Sequence, residues 1–222
     1  MSNYLKTRYS EASRPYTSYP GKLTHYLFTI FQMKKGMKML EPGVGRGEHL
    51  EEFQKLGLEV FGTDISEETQ ELSPNLEITI VDSDTTKLPF DDGSFDIVYS
   101  KSFVEHLLNP LDFIHEAHRV LKPGGMLITL TPDWEVGYKK FFDDYTHVSP
   151  FTAISLKEIQ KAGGFSNVSV SKFRQLPLLW KYPFLNIFSI IISPFVPLRA
   201  TNKFLRWSWE LNLVSISYKE SL

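Results

Sequence analysis

MKMLEPGVGRGEHLEEFQKLG, Met37 to Gly57, is the stretch that decides how this chain folds. MKMLE (37–41) reads as a short strand, and GEHLEEFQKLG (47–57) as an amphipathic helix that ends at a glycine. Between them Gly43, Gly45 and Gly47 stand at alternate positions. Glycine allows backbone angles and close ligand approach that a Cβ would block. In an open α/β sheet this turn lies at the carboxyl edge, where ligands bind. The spacing is GxGxG, not the GxGxxG of a dinucleotide turn, and an acid, Glu41, precedes it. A pyrophosphate prefers bare backbone N–H groups with no carboxylate nearby. Glu41 suits a cationic or amine-bearing ligand better.

Outward from this turn, strands and helices alternate. LEVFGTD (58–64), LEITIVD (76–82), SFDIVYS (94–100) and GMLITLTP (125–132) read as strands. SEETQEL (66–72), with Ser66 as its cap, and NPLDFIHEAHRVLKPGG (109–125), stopping at Pro-Gly-Gly, read as helices. LTHYLFTIFQM (23–33) is a helix ahead of the sheet, and SLKEIQKAGGF (155–165) one near its end. SNVSVSKF (166–173) and NLVSISYKE (212–220) complete seven strands. The pattern predicts an α/β fold: a seven-stranded, doubly wound, Rossmann-like sheet with an antiparallel last strand and a helical insertion before it. A single domain is expected over 1–222, with an N-terminal lid or arm (1–33), a cofactor-binding core (34–173), an apolar basic insertion (174–211) and the last strand (212–222). Asp64 closes the second strand, where an acid can accept both hydroxyls of a ribose. Asp84 lies four residues before Leu88-Pro89-Phe90.

EPGVGRG, then Asp64, then Asp84 before LPF and SFDIVYS, then HRVLKPGG followed by MLITLTP, together resemble the class I S-adenosylmethionine-dependent methyltransferases of the small-molecule branch called type 11. The resemblance covers 37–132 strongly and 147–165 more loosely. It implies S-adenosylmethionine as cofactor and S-adenosylhomocysteine as product. It implies that Gly43, Gly45 and Gly47 hold the methionine portion, with Glu41 near its amino group. Asp64 would bind the ribose hydroxyls, and Ile65 would pack on the adenine. Asp84, with Thr85 beside it, would face the adenine amino group; Asp82 is its rival. Ser100 and Lys101 would flank the methionine end.

Methyl transfer to a hydroxyl benefits from a general base, and His is the usual one near neutral pH. His106, in SKSFVEHLLNP, and His147, in DDYTHVSPF, are the candidates, with Glu105 placed to orient His106. His49 and His25 have no comparable case, and Asp143-Asp144 reads as a solvated loop pair. The chain has no cysteine, which excludes disulfides, zinc-thiolate sites and a covalent cysteine route to pyrimidine carbon-5. SKSF after the fourth strand is not the Asn-Pro-Pro-Tyr type motif that, in the family, marks amide or exocyclic nitrogen targets. A metal site would want carboxylates after strands four and five. Asp133 supplies one and Ser100-Lys101 do not supply the other, so no metal is expected.

The charge is uneven. Residues 1–171 hold 17 Lys+Arg against 24 Asp+Glu, and residues 172–222 hold 7 against 2. No acid occurs between Glu158 and Glu210. Within this region FLNIFSIIISPFVPL (184–198) is fully uncharged. Pro183, Pro194 and Pro197 leave about ten uninterrupted apolar residues, about half of what a membrane span needs. Three roles for the insertion fit: a cover for the substrate pocket, an interfacial contact through 178–209 to membrane or a lipid-linked substrate, or a homodimer surface. Nucleic acid is a poor fit, because the basic region is too apolar for a phosphate track. The N-terminus has no apolar signal region, so a cytoplasmic protein, with or without membrane association, is expected. The acceptor is expected to be a small molecule, sugar or lipid-linked glycan. A small amine or phospholipid headgroup, or a non-catalytic cofactor-binding scaffold, are the alternatives.

Overall fold

The computed structural model describes residues 15–82 and 87–221. Seven strands form one sheet in the order β3-β2-β1-β4-β5-β7-β6. They are β1 (Lys38–Pro42), β2 (Glu59–Asp64), β3 (Glu77–Ile80), β4 (Phe95–Lys101), β5 (Leu121–Pro132), β6 (Ser166–Phe173) and β7 (Asn212–Tyr218). β1 to β5 pair in parallel, and β7 runs antiparallel to both β5 and β6. The expected architecture is therefore present, antiparallel last strand included.

Both faces of the sheet are covered. In β4, Ile97 and Tyr99 join Met39, Leu50 and Phe53 in one core, packed against α1 (Tyr19–Ile30) and α2 (Glu48–Lys55). Phe95 and Val98 join Phe113, Ile114 and Leu156 in the other, against α4 (Pro110–Val120) and α6 (Ala153–Ala162). Burial on both sides is why the central strands read as near-continuous apolar runs. α3 (Glu68–Leu72) and α5 (Trp134–Phe141) complete the main layers. The insertion folds as α7 (Pro177–Lys181), α8 (Asn186–Ile192) and α9 (Lys203–Trp209), joining antiparallel neighbours β6 and β7.

The chain reverses its direction of travel across the sheet between β1 and β4, which pair through Met39–Ile97 and Leu40–Val98. This is the switch point where α/β sheets open a crevice beyond their carboxyl ends. It brings the glycine turn after β1 next to the segment after β4.

Two local expectations are corrected. α4 ends at Val120, and Lys122-Pro123-Gly124-Gly125 belongs to β5, whose Leu121 pairs with Phe95 before a register shift. The glycines serve a bulge there: Gly124 has φ +78°, and a Cβ on Gly125 would lie 2.8 Å from the Lys122 carbonyl oxygen. Ser66 does not cap α3, because Glu67 holds the cap position without a side-chain bond. The Ser66 N–H donates instead to Asp64.

Candidate active site

The glycine turn adopts the left-handed backbone its sequence permits, with φ of +70° at Gly43, +59° at Gly45 and +74° at Gly47. A Cβ on Gly43 would collide with the Phe103 ring, and one on Gly47 with the Ser73 hydroxyl. Asp64 fastens the turn to the end of β2. Its Oδ2 accepts from the Gly45 N–H at 2.8 Å and its Oδ1 from the Ser66 N–H at 2.9 Å. Burial raises its pKa and those backbone donors oppose the rise. Ile65, next in sequence, is 45% exposed, so an apolar surface stands beside the carboxylate.

Glu41 is buried at the end of β1, and its Oε2 has no hydrogen-bond partner. Burial pushes its pKa up to about 8; the Lys101 ammonium opposes the rise and the Asp64 carboxylate adds to it. A buried carboxylate oxygen with no partner costs free energy that a cationic ligand would recover. This is the observation by which the site fits an amino-acid ammonium. Ser100 is fully buried with an unpartnered Oγ. Lys101 follows it into the cavity, and Ser102 carries φ +51°, a strained value for a residue other than glycine.

Beyond the carboxyl ends of the strands lies a cavity of ≈ 690 Å³. Lys101, Glu105, His106 and His147 line it together. Glu105 and His106 sit in a 3-10 turn, Val104–His106, and His147 in the loop after α5. The Val148 and Ser149 N–H groups donate to the Glu105 carbonyl at 2.9 and 3.0 Å, and the Ser149 hydroxyl to the Leu107 carbonyl at 2.7 Å. These bonds stitch the two loops into one wall. The imidazoles meet edge to face, with ring centres 4.7 Å apart.

Hydrogen bonds assign both tautomers. His147 Nδ1 lies 2.7 Å from the Phe141 carbonyl, which can only accept, so Nδ1 carries the proton. His106 Nδ1 lies 2.9 Å from Thr146 Oγ1 and 3.3 Å from the Thr146 carbonyl, and the Thr146 hydroxyl donates onward to Asp144 Oδ1 at 2.7 Å. His106 Nδ1 is therefore a donor too. In the neutral form of each ring the lone pair then lies on Nε2. Glu105 is fully buried, accepts from the Thr131 hydroxyl at 3.0 Å through Oε2, and has its pKa pushed up to about 7 by burial.

Three readings of the sequence change. Of Asp143-Asp144 only Asp143 is solvated, and it pairs with Arg199 at 2.9 Å; Asp144 is buried against Thr146. Asp133 does not line the cavity; it caps α5 by accepting from the Glu135 N–H at 3.1 Å and pairs with Lys172. His49, which had no case, lines the cavity from α2, with Nε2 buried and unpartnered; burial and nearby Lys101 hold its pKa well below the ordinary value. Its place two residues after Gly47, at the start of α2, was the available signal. The insertion, expected as a pocket cover, an interfacial contact or a dimer surface, supplies Arg206, Trp207 and Trp209 to the same cavity. Asp84 and Thr85 lie outside the described residues, as do Tyr4, Tyr9 and Arg14 of the arm.

A switch-point crevice with an acid-led glycine turn and a second acid closing β2 is the arrangement of an α/β domain suited to an amine-bearing nucleoside. Comparison with known proteins gives the family. Residues 40–129 match the family model described as a methyltransferase domain. A probable S-adenosylmethionine-dependent methyltransferase of Mycolicibacterium smegmatis is 30% identical over 59% of this chain and 52% of its own. A sterol 24-C-methyltransferase of Gibberella zeae is 37% identical over 46% of this chain and 29% of its own. The solved structure of an S-adenosylmethionine-dependent methyltransferase from Archaeoglobus fulgidus superposes with a TM-score of 0.70 at 19% identity, over 96% of this chain and 99% of that one. Over residues 40–129 this chain carries a methyltransferase domain of the class I S-adenosylmethionine-dependent kind, type 11 branch. The match spans about half or less of the two curated relatives named.

Proposed function

We propose that this protein transfers the methyl group of S-adenosylmethionine to an oxygen of a small molecule, sugar or lipid-linked glycan. One observation carries the oxygen assignment: His106, with its lone pair on Nε2, shares the cavity with Lys101, at the end of β4 beside the cofactor turn. Glu41 would hold the cofactor's ammonium, the Gly43–Gly47 turn its methionine portion, Asp64 its ribose and Ile65 its adenine. Asp84 and Thr85 are proposed for the adenine edge, and Ser100 and Lys101 for the methionine end. When bound, the cofactor supplies an electrophilic methyl group on a sulfonium.

The chain's own work is alignment, water exclusion and one proton. His106 Nε2 takes the acceptor hydroxyl's proton as the oxygen attacks. The resulting imidazolium is held by Thr146 Oγ1 and, through it, by the Asp144 carboxylate. His147 packs against His106 and limits its rotation. Trp207 and Trp209 line the cavity from the insertion side, where they would help to exclude water.

The insertion's outward side has a different use. Phe184, Ile187, Phe188, Ile191 and Phe195 are each more than half exposed, Phe195 at 84%. Its positive charge is partly spent internally, since Arg199 pairs with Asp143 and Arg206 with Glu210. The apolar face is therefore what supports an interfacial contact with a bilayer, and no described helix is long and apolar enough to cross one. Inner residues cover the pocket while outer ones dock it on the surface that presents a lipid-linked acceptor. A homodimer buried on this face is the competing outcome.

The test uses methyl-labelled cofactor with lipid and glycan extracts as acceptor sources. His106→Ala should lower kcat by about 10²–10⁴-fold with cofactor affinity unchanged. An unchanged kcat would point to an amine acceptor, which needs no base. Cofactor binding without transfer to any extract would favour the non-catalytic reading.

A further inference from the structure

The wall that carries the two histidines has the chemistry of a metal site. One carboxylate oxygen of Glu105 and one ring nitrogen each of His106 and His147 lie within 4.8 Å of one another. Ligands bound at about 2.1 Å sit about 3.4 Å apart at a tetrahedral angle, so rotamer shifts of about 1 Å would close the set. Glu105 is fully buried, and its Oε1 has no hydrogen-bond partner. A buried, unpartnered carboxylate oxygen is costly to desolvate when ionised, and a bound cation would offset that cost.

The surroundings are those of metal-bound imidazoles. A ligating His usually donates its other ring N–H to a carbonyl or carboxylate, which fixes the ring and raises its basicity. His147 donates from Nδ1 to the Phe141 carbonyl at 2.7 Å. His106 donates from Nδ1 to Thr146 Oγ1 at 2.9 Å, and that hydroxyl donates to Asp144 at 2.7 Å. Glu105 is itself held by Thr131 through its other oxygen. The Val148 and Ser149 bonds to the Glu105 backbone fix the distance between the two ligand-bearing loops.

The geometry points to a divalent first-row transition-metal site formed by Glu105, His106 and His147. Two neutral imidazoles and one carboxylate favour zinc, iron(II) or manganese(II) over magnesium or calcium, which prefer all-oxygen shells. Three protein ligands leave positions open toward the cavity, where an acceptor oxygen can bind the ion and become more acidic. With such an ion bound, His106 Nε2 is a ligand and the ion, not the imidazole, activates the acceptor; the base role described above belongs to the ion-free site, and the proposal departs from the expectation of a metal-free site. The competing cation is Lys101, whose charge acts on Glu105. The site itself rests on geometry; its use in the reaction rests on the proposed methyl transfer.

The test is calorimetry on the full chain after chelator treatment, titrated with Zn²⁺ and with Mn²⁺, with cofactor binding measured on the same sample. One ion per chain is expected, with Co²⁺ giving a visible d–d band. His147→Gln should weaken the ion at least about tenfold and abolish the band. Thr146→Val, which touches only the His106 Nδ1 side, should weaken it by about 10–100-fold. Failure of Zn²⁺, Mn²⁺ and Co²⁺ all to bind overturns the site, as does binding that His147→Gln and Thr146→Val leave unchanged. Intact cofactor binding alongside either result overturns the metal site alone. Metal binding without cofactor binding overturns the proposed function and leaves the site standing.

Discussion

Cofactor binding should expel a proton from Glu41. Its carboxyl is buried, its Oε2 has no partner, and its pKa stands at about 8. Among the described residues, Lys101, Asp64 and Tyr99 interact with it electrostatically. At pH 7 a group of this pKa is about nine-tenths protonated. An ammonium placed against it ionises it, so binding at pH 7 should release about 0.9 proton. Between pH 7 and pH 6 the dissociation constant should rise about ninefold, while the ligand's own amine stays mostly protonated. Calorimetry in two buffers of different ionisation enthalpy reads the proton count directly. Glu41→Gln should abolish the release and flatten the pH dependence. The sign also appears in stability. The folded pKa lies above the ordinary 4.5, so Glu41's contribution is fully present below pH 4.5 and lost as pH rises through about 8. The loss reaches at most about 5 kcal/mol, at about 1.4 kcal/mol per pH unit. Glu41→Gln should therefore raise the melting temperature of the unliganded protein at pH 9 more than at pH 5. Binding that releases no proton in wild type, or a release that survives Glu41→Gln, would refute the assignment.

Other outcomes follow from single contacts. Gly43→Ala puts a Cβ into the Phe103 ring at φ +70°, and should cost about 1–3 kcal/mol in urea melts and weaken the cofactor. Asp64→Asn keeps the shape but loses the charge that holds the Gly45 and Ser66 N–H groups; two weakened bonds imply about 2–4 kcal/mol in chemical denaturation. Phe195→Asp, at 84% exposure, should leave the melting temperature within about 2 °C and cut vesicle partition at least about tenfold in flotation. A wild-type protein that never floats with anionic vesicles, and sediments as a dimer that Phe195→Asp dissociates, would move this face to the homodimer reading.

The glycine turn was legible because its chemistry is local: three positive φ angles need three glycines, and the acids at 41 and 64 end their strands. The seven strands were legible because a sheet covered on both faces leaves a doubled apolar signal. The Pro-Gly-Gly of 123–125 misled because the same residues that stop a helix also build a bulge, and only the Leu121–Phe95 pairing decides between them. Asp144 looked solvated because its burial depends on Thr146 and His106, the latter 38 positions earlier in the chain. His49 was missed for the same reason, since cavity lining is a tertiary property. The insertion posed a choice between covering a pocket, meeting an apolar surface and forming a dimer. Trp207 and Trp209 line the cavity, whereas FLNIFSIIISPFVPL does not and most of its apolar side chains are exposed, a division a linear reading could not show.

Equilibrium dialysis of the full chain against S-adenosylmethionine labelled in the methyl group tests the central claim most directly. One molecule bound per chain, lost in Asp64→Ala, is the predicted result. A protein that retains no label at millimolar cofactor, or retains it equally in Asp64→Ala, would contradict the account.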